Sequence, residues 1–342
     1  MRVDLTAAPT LRVAGRDVAE VRIAGRLVWP RPDPLVTRIA GVGYAGSTYQ
    51  VAYAGAGRWQ YDIGGGWAEF APAQTSDALT TGLVQDGAAI SWLREDGVRS
   101  NITPRLATPY SMSGVIGVFD IRRVAPGATS WAAVSGGMSY TQPNAAIRPV
   151  YEAAGLSGKP CVFSDWNRNW ILNGLTPAPG ARTLMGVFSL GNTDPNNWFT
   201  LLYPPVVGGW SLMKSYPTGG KRALAITRRG SEFTQIHQSN TILEDNIPFI
   251  LSAKTKRPSG EYGFRHNGAP AGSGTQPMTA YAEGAGDYTV GGYIRQGSHA
   301  YVDDFVSDAE IIKFEGWSAW TQGFVDLLPP GHPNKIAPPL AA

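Results

Sequence analysis

Apolar and polar side chains alternate along most of this chain, and alternation with a period of two predicts strands. Residues 11–18 read LRVAGRDV and residues 21–28 read VRIAGRLV, two matching copies at an offset of ten. Each copy carries Ala-Gly-Arg, with Gly15 or Gly25 placed where a tight hairpin turn belongs. The pattern predicts two small hairpins ending at Trp29. Hairpins of this size bury too little to stand alone. The segment is therefore expected to dock on a partner, on copies of itself or on the domain that follows.

Pro30-Arg-Pro-Asp-Pro34 reads as a stiff, extended linker. Alternating segments follow up to residue 106: Tyr49-Gln-Val-Ala-Tyr53, Trp59-Gln-Tyr-Asp-Ile63, Trp67-Ala-Glu-Phe70 and Ala89-Ile-Ser-Trp-Leu-Arg94. Gly64-Gly-Gly66 and Asp96-Gly97 mark turns between them. This spacing predicts a small antiparallel sandwich of immunoglobulin or fibronectin type, left at Asn101-Ile-Thr-Pro104. Residues 108–306 continue as strands separated by Gly, Pro and Asn turns, which predicts one large sandwich. Asp308 and Glu310 are read as same-face residues opening a further strand. Then the period changes. Trp317, Trp320, Phe324 and Leu327 fall at helical spacing and Pro329-Pro330 stops the run, so one helix is expected near 316–328. The fold class is all-β, in three parts: hairpins over 1–30, a small sandwich over 31–107 and a large sandwich over 108–342.

Composition agrees with this picture and narrows function. Gly 42 and Pro 26 make up about a fifth of 342 residues, so the chain turns often. Charged residues are 16% and hydrophobic residues 43%, which gives real cores and excludes disorder driven by charge. The net charge of +3, with no dense Lys/Arg run, gives no nucleic-acid footprint. The single cysteine, Cys161, excludes an internal disulfide and a Cys-rich metal site. No apolar run reaches ~18 residues, so no membrane insertion is expected. The first nine residues lack the apolar core of a secretory signal, so synthesis in a host cytoplasm without a signal peptide is expected.

Several phrases have a familiar form. The segment NAAIRPVYEAAGLSGKPCVF (144–163), the hairpin FRHNGAPAG (264–272), the strand YTVGGY (288–293), AEIIKF (309–314) and LPPGHPNKIAPP (328–339) resemble concanavalin A-like, laminin-G-like jelly rolls of phage particles. The resemblance covers roughly residues 110–340. It departs where that family's helix carries a YLAxKWG phrase; here the chain reads WSAWTQG (317–323). The AGR hairpins are similar to small anchoring modules that begin some phage tail and spike proteins. The whole layout resembles a head spike or tail fibre of a tailed phage or a gene transfer agent. The resemblance implies a lectin-like or purely architectural sandwich on a virion surface and a homo-oligomer. It implies no catalytic residues and no cofactor.

Gly41-Val-Gly-Tyr-Ala-Gly46 matches GxGxxG, but β-like residues follow it, so it reads as a glycine-rich turn. No GxxxxGK[ST], HExxH or GxSxG occurs. The histidines His237, His266, His299 and His332 are scattered and read as solvated or turn residues, with the terminal phrase implying a structural role for His332. Glycoside hydrolysis needs two carboxylates across a bond. Glu244-Asp245 and Asp303-Asp304 are adjacent and point to opposite faces of an extended chain, and Asp308 with Glu310 reads as a surface pair.

Sugar binding has better material: an aromatic platform beside Asp, Asn and backbone groups. Two loops supply it. One holds Asp165, Trp166, Asn167 and Asn169; the other holds Asp194, Asn196, Asn197 and Trp198. Their oxygens also suit Ca²⁺, but the reading is carbohydrate, with no metal. A strand-starting Trp such as Trp170 is normally core, whereas Trp166 stands amid polar residues and is the leading platform. The expected function is that of a spike or fibre binding host cell-surface capsular polysaccharide, attached through its N-terminus to a capsid or tail protein. A polysaccharide depolymerase on the same scaffold and a ligand-free decoration protein are the alternatives.

Overall fold

A computed structural model describes residues 11–13, 16–18, 21–23, 26–29, 33–52, 56–165, 167–175, 180–191, 199–203, 210–215, 223–229, 233–256, 259–275 and 288–341, with backbone alone within 11–29 and 199–240. The chain divides into two units, Met1–Leu106 with Leu340–Ala342, and Ala107–Pro339.

In the first unit the repeated segments pair as two antiparallel hairpins. Leu11–Val13 runs against Arg16–Val18, and Val21–Ile23 against Arg26–Trp29. A small sandwich follows. One sheet is Leu35–Ala40, Thr48–Ala52 and Ala78–Thr80; the other is Ala89–Arg94, Gly57–Asp62 and Ala68–Glu69. Alternation delivers Val36, Tyr49, Val51 and Leu79 from the first and Trp59, Ile90 and Trp92 from the second into one core. Trp59 and Trp92 are direct cross-strand partners, edge to face with centroids 5.4 Å apart. The GxGxxG stretch is a turn. Gly41, Gly43 and Gly46 all have positive φ, and the Gly43 amide donates to Ser47 Oγ at 2.8 Å. The exit residue Asn101 clamps the edge strand: its Oδ1 accepts from Val36 N and its Nδ2 donates to Val36 O.

The second unit is a jelly roll of two large antiparallel sheets. Among the described residues one sheet has nine strands. Its path runs Ser135–Gly136, Val115–Phe119, Ile294–Val302, Ala181–Leu190, Pro248–Lys256, Glu261–His266, Ala269–Thr275. The hairpin Val150–Leu156/Lys159–Ser164 joins it along the first half of Ile294–Val302. The facing sheet has eight, ordered Ser130–Ala132, Ser139–Thr141, Trp170–Asn173, Tyr288–Gly291, Phe199–Tyr203, Trp210–Ser215, Ala223–Arg229, Phe233–Ile242. Leu184, Phe188 and Leu190, with Phe249, Leu251 and Ala253, meet Trp131, Tyr140, Trp170, Leu172 and Tyr288 between the sheets. The alternate residues Val187 and Ile250 face out, and with Leu156 and Cys161 they pack under Ala319, Phe324 and Leu328. The helix region thus covers an outer face that would otherwise expose apolar surface to water.

That helix spans Asp308–Gln322, not 316–328, and its first turn takes the place of the strand expected to open at Asp308 and Glu310. The start is set by Ser307, whose side chain accepts from Glu310 N, and by Asp308 and Glu310 at the positive end of the dipole. The end is set by Gly323 at φ 75°, after which the Phe324 amide reaches back to Ala319 O at 2.8 Å. Gly316 sits mid-helix because Asn334 packs there. A Cβ at Gly316 would stand 2.6 Å from the Asn334 side chain, which donates to Ile312 O.

His299, read from the sequence as a solvated or turn residue, is at the centre of the sandwich, 1% exposed. Its Nδ1–H donates to Gly297 O at 3.0 Å, so Nε2 accepts from Tyr140 OH at 2.8 Å, and Tyr140 in turn accepts from Tyr301 OH. Phe119 stacks on the imidazole, centroids 5.0 Å apart. Burial pushes His299 down to about 4, and the half-buried His266 likewise to about 4. A histidine held neutral in the fold contributes stability that is complete above its unfolded value of ~6.5 and is lost as pH falls towards 4. The larger unit should therefore lose on the order of 1–2 kcal/mol through His299 between about pH 6.5 and about pH 5, above the main carboxylate range. His266 acts in the same direction. Urea melts across that window test this; a flat stability profile would contradict the buried neutral imidazole.

Candidate functional site

The leading loop begins where the strand Lys159–Ser164 ends, and Asp165 organises it. Its Oδ1 accepts from the amides of Asn167 (2.8 Å) and Arg168 (2.7 Å), while Oδ2 takes Arg168 Nε and Nη2 at 3.0 and 2.7 Å. Asp165 N also donates to Arg168 O at 2.8 Å. This is the aspartate-capped turn that short acidic side chains favour. Asn169 is tied inward, its backbone and side-chain oxygens accepting from Gln142 Nε2. Asn167 is exposed, and its side-chain amide makes no hydrogen bond with the described residues. Trp166, Asp194, Asn196, Asn197 and Trp198 lie outside the described residues. Trp170, the strand-starting tryptophan, is core at 1% exposure.

The sheet register relates the ends of two strands. Ser164 and Leu190 both pair with Ile294, one on each side of it. The strand ends Ser164 and Leu190 therefore lie two strand spacings apart, about 10 Å. Two further segments reach the same end. Leu190 bridges Asp245, and the Asn246 amide donates to Leu190 O at 2.8 Å. The Gly191 amide donates to Tyr293 O at 2.6 Å. Asn246 at φ 60° and Tyr293 at φ 52° both hold left-handed backbone without glycine's freedom, a strain found disproportionately at functional sites.

Phe163 is the aromatic centre of this end. The Arg168 and Arg295 guanidiniums lie 5.5 and 5.1 Å from its ring centroid. Arg295, directly opposite Phe163 in the ladder, donates from Nε to Glu152 Oε2 at 2.7 Å and from Nη1 to Asn246 Oδ1 at 3.0 Å. Each guanidinium thus has one carboxylate partner, Asp165 or Glu152, and these two pairs carry no net charge. Cys161, on the same strand as Phe163 and paired with Glu152, is no nucleophile. Burial and the neighbouring Glu152 carboxylate push its thiol up to about 12. Sequence reasoning missed Arg295, Asn246 and Glu152. Residues 152, 163, 246 and 295 meet only through strand register, and no local pattern carries that.

The acid pair weighed in the sequence is not a pair. On the first helical turn, Asp308 binds Lys254 Nζ at 2.7 Å and Glu310 binds Lys313 Nζ at 2.6 Å. Residues two apart on a helix do not face each other. Asp308 does share a groove with Glu261, on the outer face of the nine-stranded sheet. His332 is buried, with Nε2 3.1 Å from Glu315 Oε2, and serves the packing of the helix. Among the described residues no three His, Cys, Asp or Glu gather as metal ligands.

No family model and no curated protein matches this chain. Solved structures share part of its form. The botulinum neurotoxin serotype D binding domain is similar at TM-score 0.44 and 11% identity, over 59% of this chain and 51% of that one. The serotype D ligand-binding domain in complex with N-acetylneuraminic acid gives 0.45 and 11%, over 62% and 51%. The native heptameric SAP-like pentraxin from Limulus polyphemus gives 0.31 and 11%, over 40% and 71%. The chain spans about half the length of the neurotoxin domains it matches.

Proposed function

We propose that this chain is a spike or fibre protein of a phage-like particle, on whose surface it mediates adsorption to host cell-surface polysaccharide. In this reading the hairpins of residues 1–30 attach it to a capsid or tail protein, and the jelly roll meets the glycan. The observation that supports it most is that Ser164 and Leu190, the strand ends next to the two polar, Trp-bearing segments in sequence, flank Ile294 at one end of the nine-stranded sheet, where Phe163 lies between two arginines. An aromatic face rimmed by planar donors, amides and carboxylates is the chemistry that holds a hydroxyl-rich ring. Repetition across a homo-oligomer turns such weak sites into firm attachment. The phage-like context rests on the sequence phrases alone.

Two measurements test it. Deleting residues 1–30 should leave the jelly roll folded and remove the protein from purified particles; co-purification of the truncated chain would move the anchor elsewhere. Purified capsule incubated with the protein should release no reducing ends. One observation favours the depolymerase alternative, the shared groove of Glu261 and Asp308. Reducing-end release abolished by Glu261→Gln or Asp308→Asn would establish that alternative in place of simple binding.

A further inference from the structure

The groove has a volume of about 230 Å³. Drug-sized pockets run to roughly 300–1,000 Å³, so this one suits a single small ring rather than an extended chain. It lies between the start of the helix and the strands Pro248–Lys256, Glu261–His266 and Ala269–Thr275. Gly263 and Gly272 leave the floor open. A Cβ on Gly263 would stand 3.0 Å from Lys254 Cε. Phe305 supplies apolar surface on the helix side, beside the fully buried Ile311.

Three polar groups in the groove have hydrogen-bonding capacity left. Lys254 Nζ donates to Val306 O at 2.9 Å and to Asp308 Oδ1 at 2.7 Å, which uses two of its three protons. Glu261 is half-buried, and its carboxylate has no hydrogen bond or ion pair among the described residues. Ser252 lines the groove at 2% exposure, and its hydroxyl has no hydrogen-bond partner among the described residues. A hydroxyl with both its proton and its lone pairs unused can donate to a ligand hydroxyl and accept from one.

We infer that this groove is a second saccharide subsite, taking one neutral hexopyranose unit; the inference rests on the glycan-binding reading above. A pyranose ring carries vicinal hydroxyls that both donate and accept. That matches an acceptor in Glu261, a donor in Lys254 and a group that does both in Ser252. Its C–H face matches the apolar wall. The unit is neutral because the lining cations are already engaged: Arg265 is held by Glu315 and Lys254 by Asp308, while Glu261 would repel a sugar carboxylate.

Saturation-transfer NMR on the full chain tests this, with the methyl glycosides of glucose, galactose, mannose and N-acetylglucosamine as probes. Transfer to at least one glycoside is expected, with its Kd weakened about tenfold by Ser252→Ala and by Glu261→Gln. Ser252→Ala should not lower the melting temperature, since it removes a hydroxyl that bonds to nothing. Transfer to none of the four, or transfer that both variants leave unchanged, overturns the subsite. The two readings fail separately. Adsorption lost on altering the loop end while no glycoside binds leaves the adsorption reading and removes the subsite. Glycoside binding lost in Ser252→Ala, with adsorption unmoved by every variant, leaves the subsite and removes the adsorption reading.

Discussion

Replacing Glu315 with Ala should destabilise the larger unit by about 3–5 kcal/mol, because it strands a buried guanidinium. Arg265 is 8% exposed and Glu315 1%. Arg265 Nε and Nη2 grip the two carboxylate oxygens at 2.9 and 3.0 Å, and Nη2 also donates to Gly268 O at 2.7 Å. His332 completes the cluster. Its Nδ1 accepts from Asn334 N at 3.1 Å, which leaves the proton on Nε2, 3.1 Å from Glu315 Oε2. One carboxylate on the helix thus holds the Asn267-Gly268 hairpin and the chain end around His332 against the sheet. A bidentate, desolvated pair is costly to break from one side and cheap to replace as a whole. The double variant Arg265→Met with Glu315→Leu should therefore lie closer to the parent than Glu315→Ala does. Denaturant melts read both, taking the transition of the larger unit alone, since a chain of two units need not unfold in one step. A Glu315→Ala shift within about 0.5 kcal/mol, as for an ordinary surface site, would refute the cluster's role.

The same cluster shows where the sequence is legible and where it is not. Alternation and turn residues mark the strands because each strand needs only one buried face, and that face is written locally. Trp59, Trp92, Leu184 and Phe249 all land inside as alternation requires. The helix was half legible. Trp317 and Trp320 carry its period, but Ile311 and Phe314 also suit a strand, and only the Ser307 cap and the Gly323 stop decide between them. Buried polar residues are the least legible. Arg265, Glu315 and His332 are polar letters 17 to 67 residues apart, and their burial depends on a partner that no local pattern announces. His299 was misread for the same reason, since its acceptor role depends on Tyr140, 159 residues away. At the candidate site the loop chemistry of Asp165 and Asn167 was readable as composition. Its joining to Arg295, Glu152 and Asn246 depends on strand register, which a hydrophobic pattern sets only for whole faces.

Trp166→Ala should reduce adsorption of particles to cells by well over tenfold while changing stability by no more than about 0.5 kcal/mol. The residues on either side carry the argument. Asp165 and Asn167 bracket position 166 and are fixed by one carboxylate, which accepts from the amides of Asn167 and Arg168 at 2.8 and 2.7 Å. A backbone held this firmly at the sheet's end presents whatever it carries without the ordering cost that a loose loop meets on binding. The Arg168 that completes the clamp also lies over the Phe163 ring, 5.5 Å from its centroid, so the residues on either side of 166 in sequence belong to an aromatic and cationic cluster. Loss of one platform is a small change at one site. Across a homo-oligomer it is multiplied, because attachment depends on several sites holding at once. The measurement is adsorption of mutant particles alongside a thermal melt of the purified chain. Arg168→Ala is the companion variant. Its ion pair with Asp165 is 40% exposed on the arginine side and is worth under about 1 kcal/mol, so it too should spare the fold and weaken adsorption. A large fall in melting temperature accompanying the Trp166→Ala loss would place that indole in the core, and unchanged adsorption in both variants would remove this end of the sandwich from receptor binding.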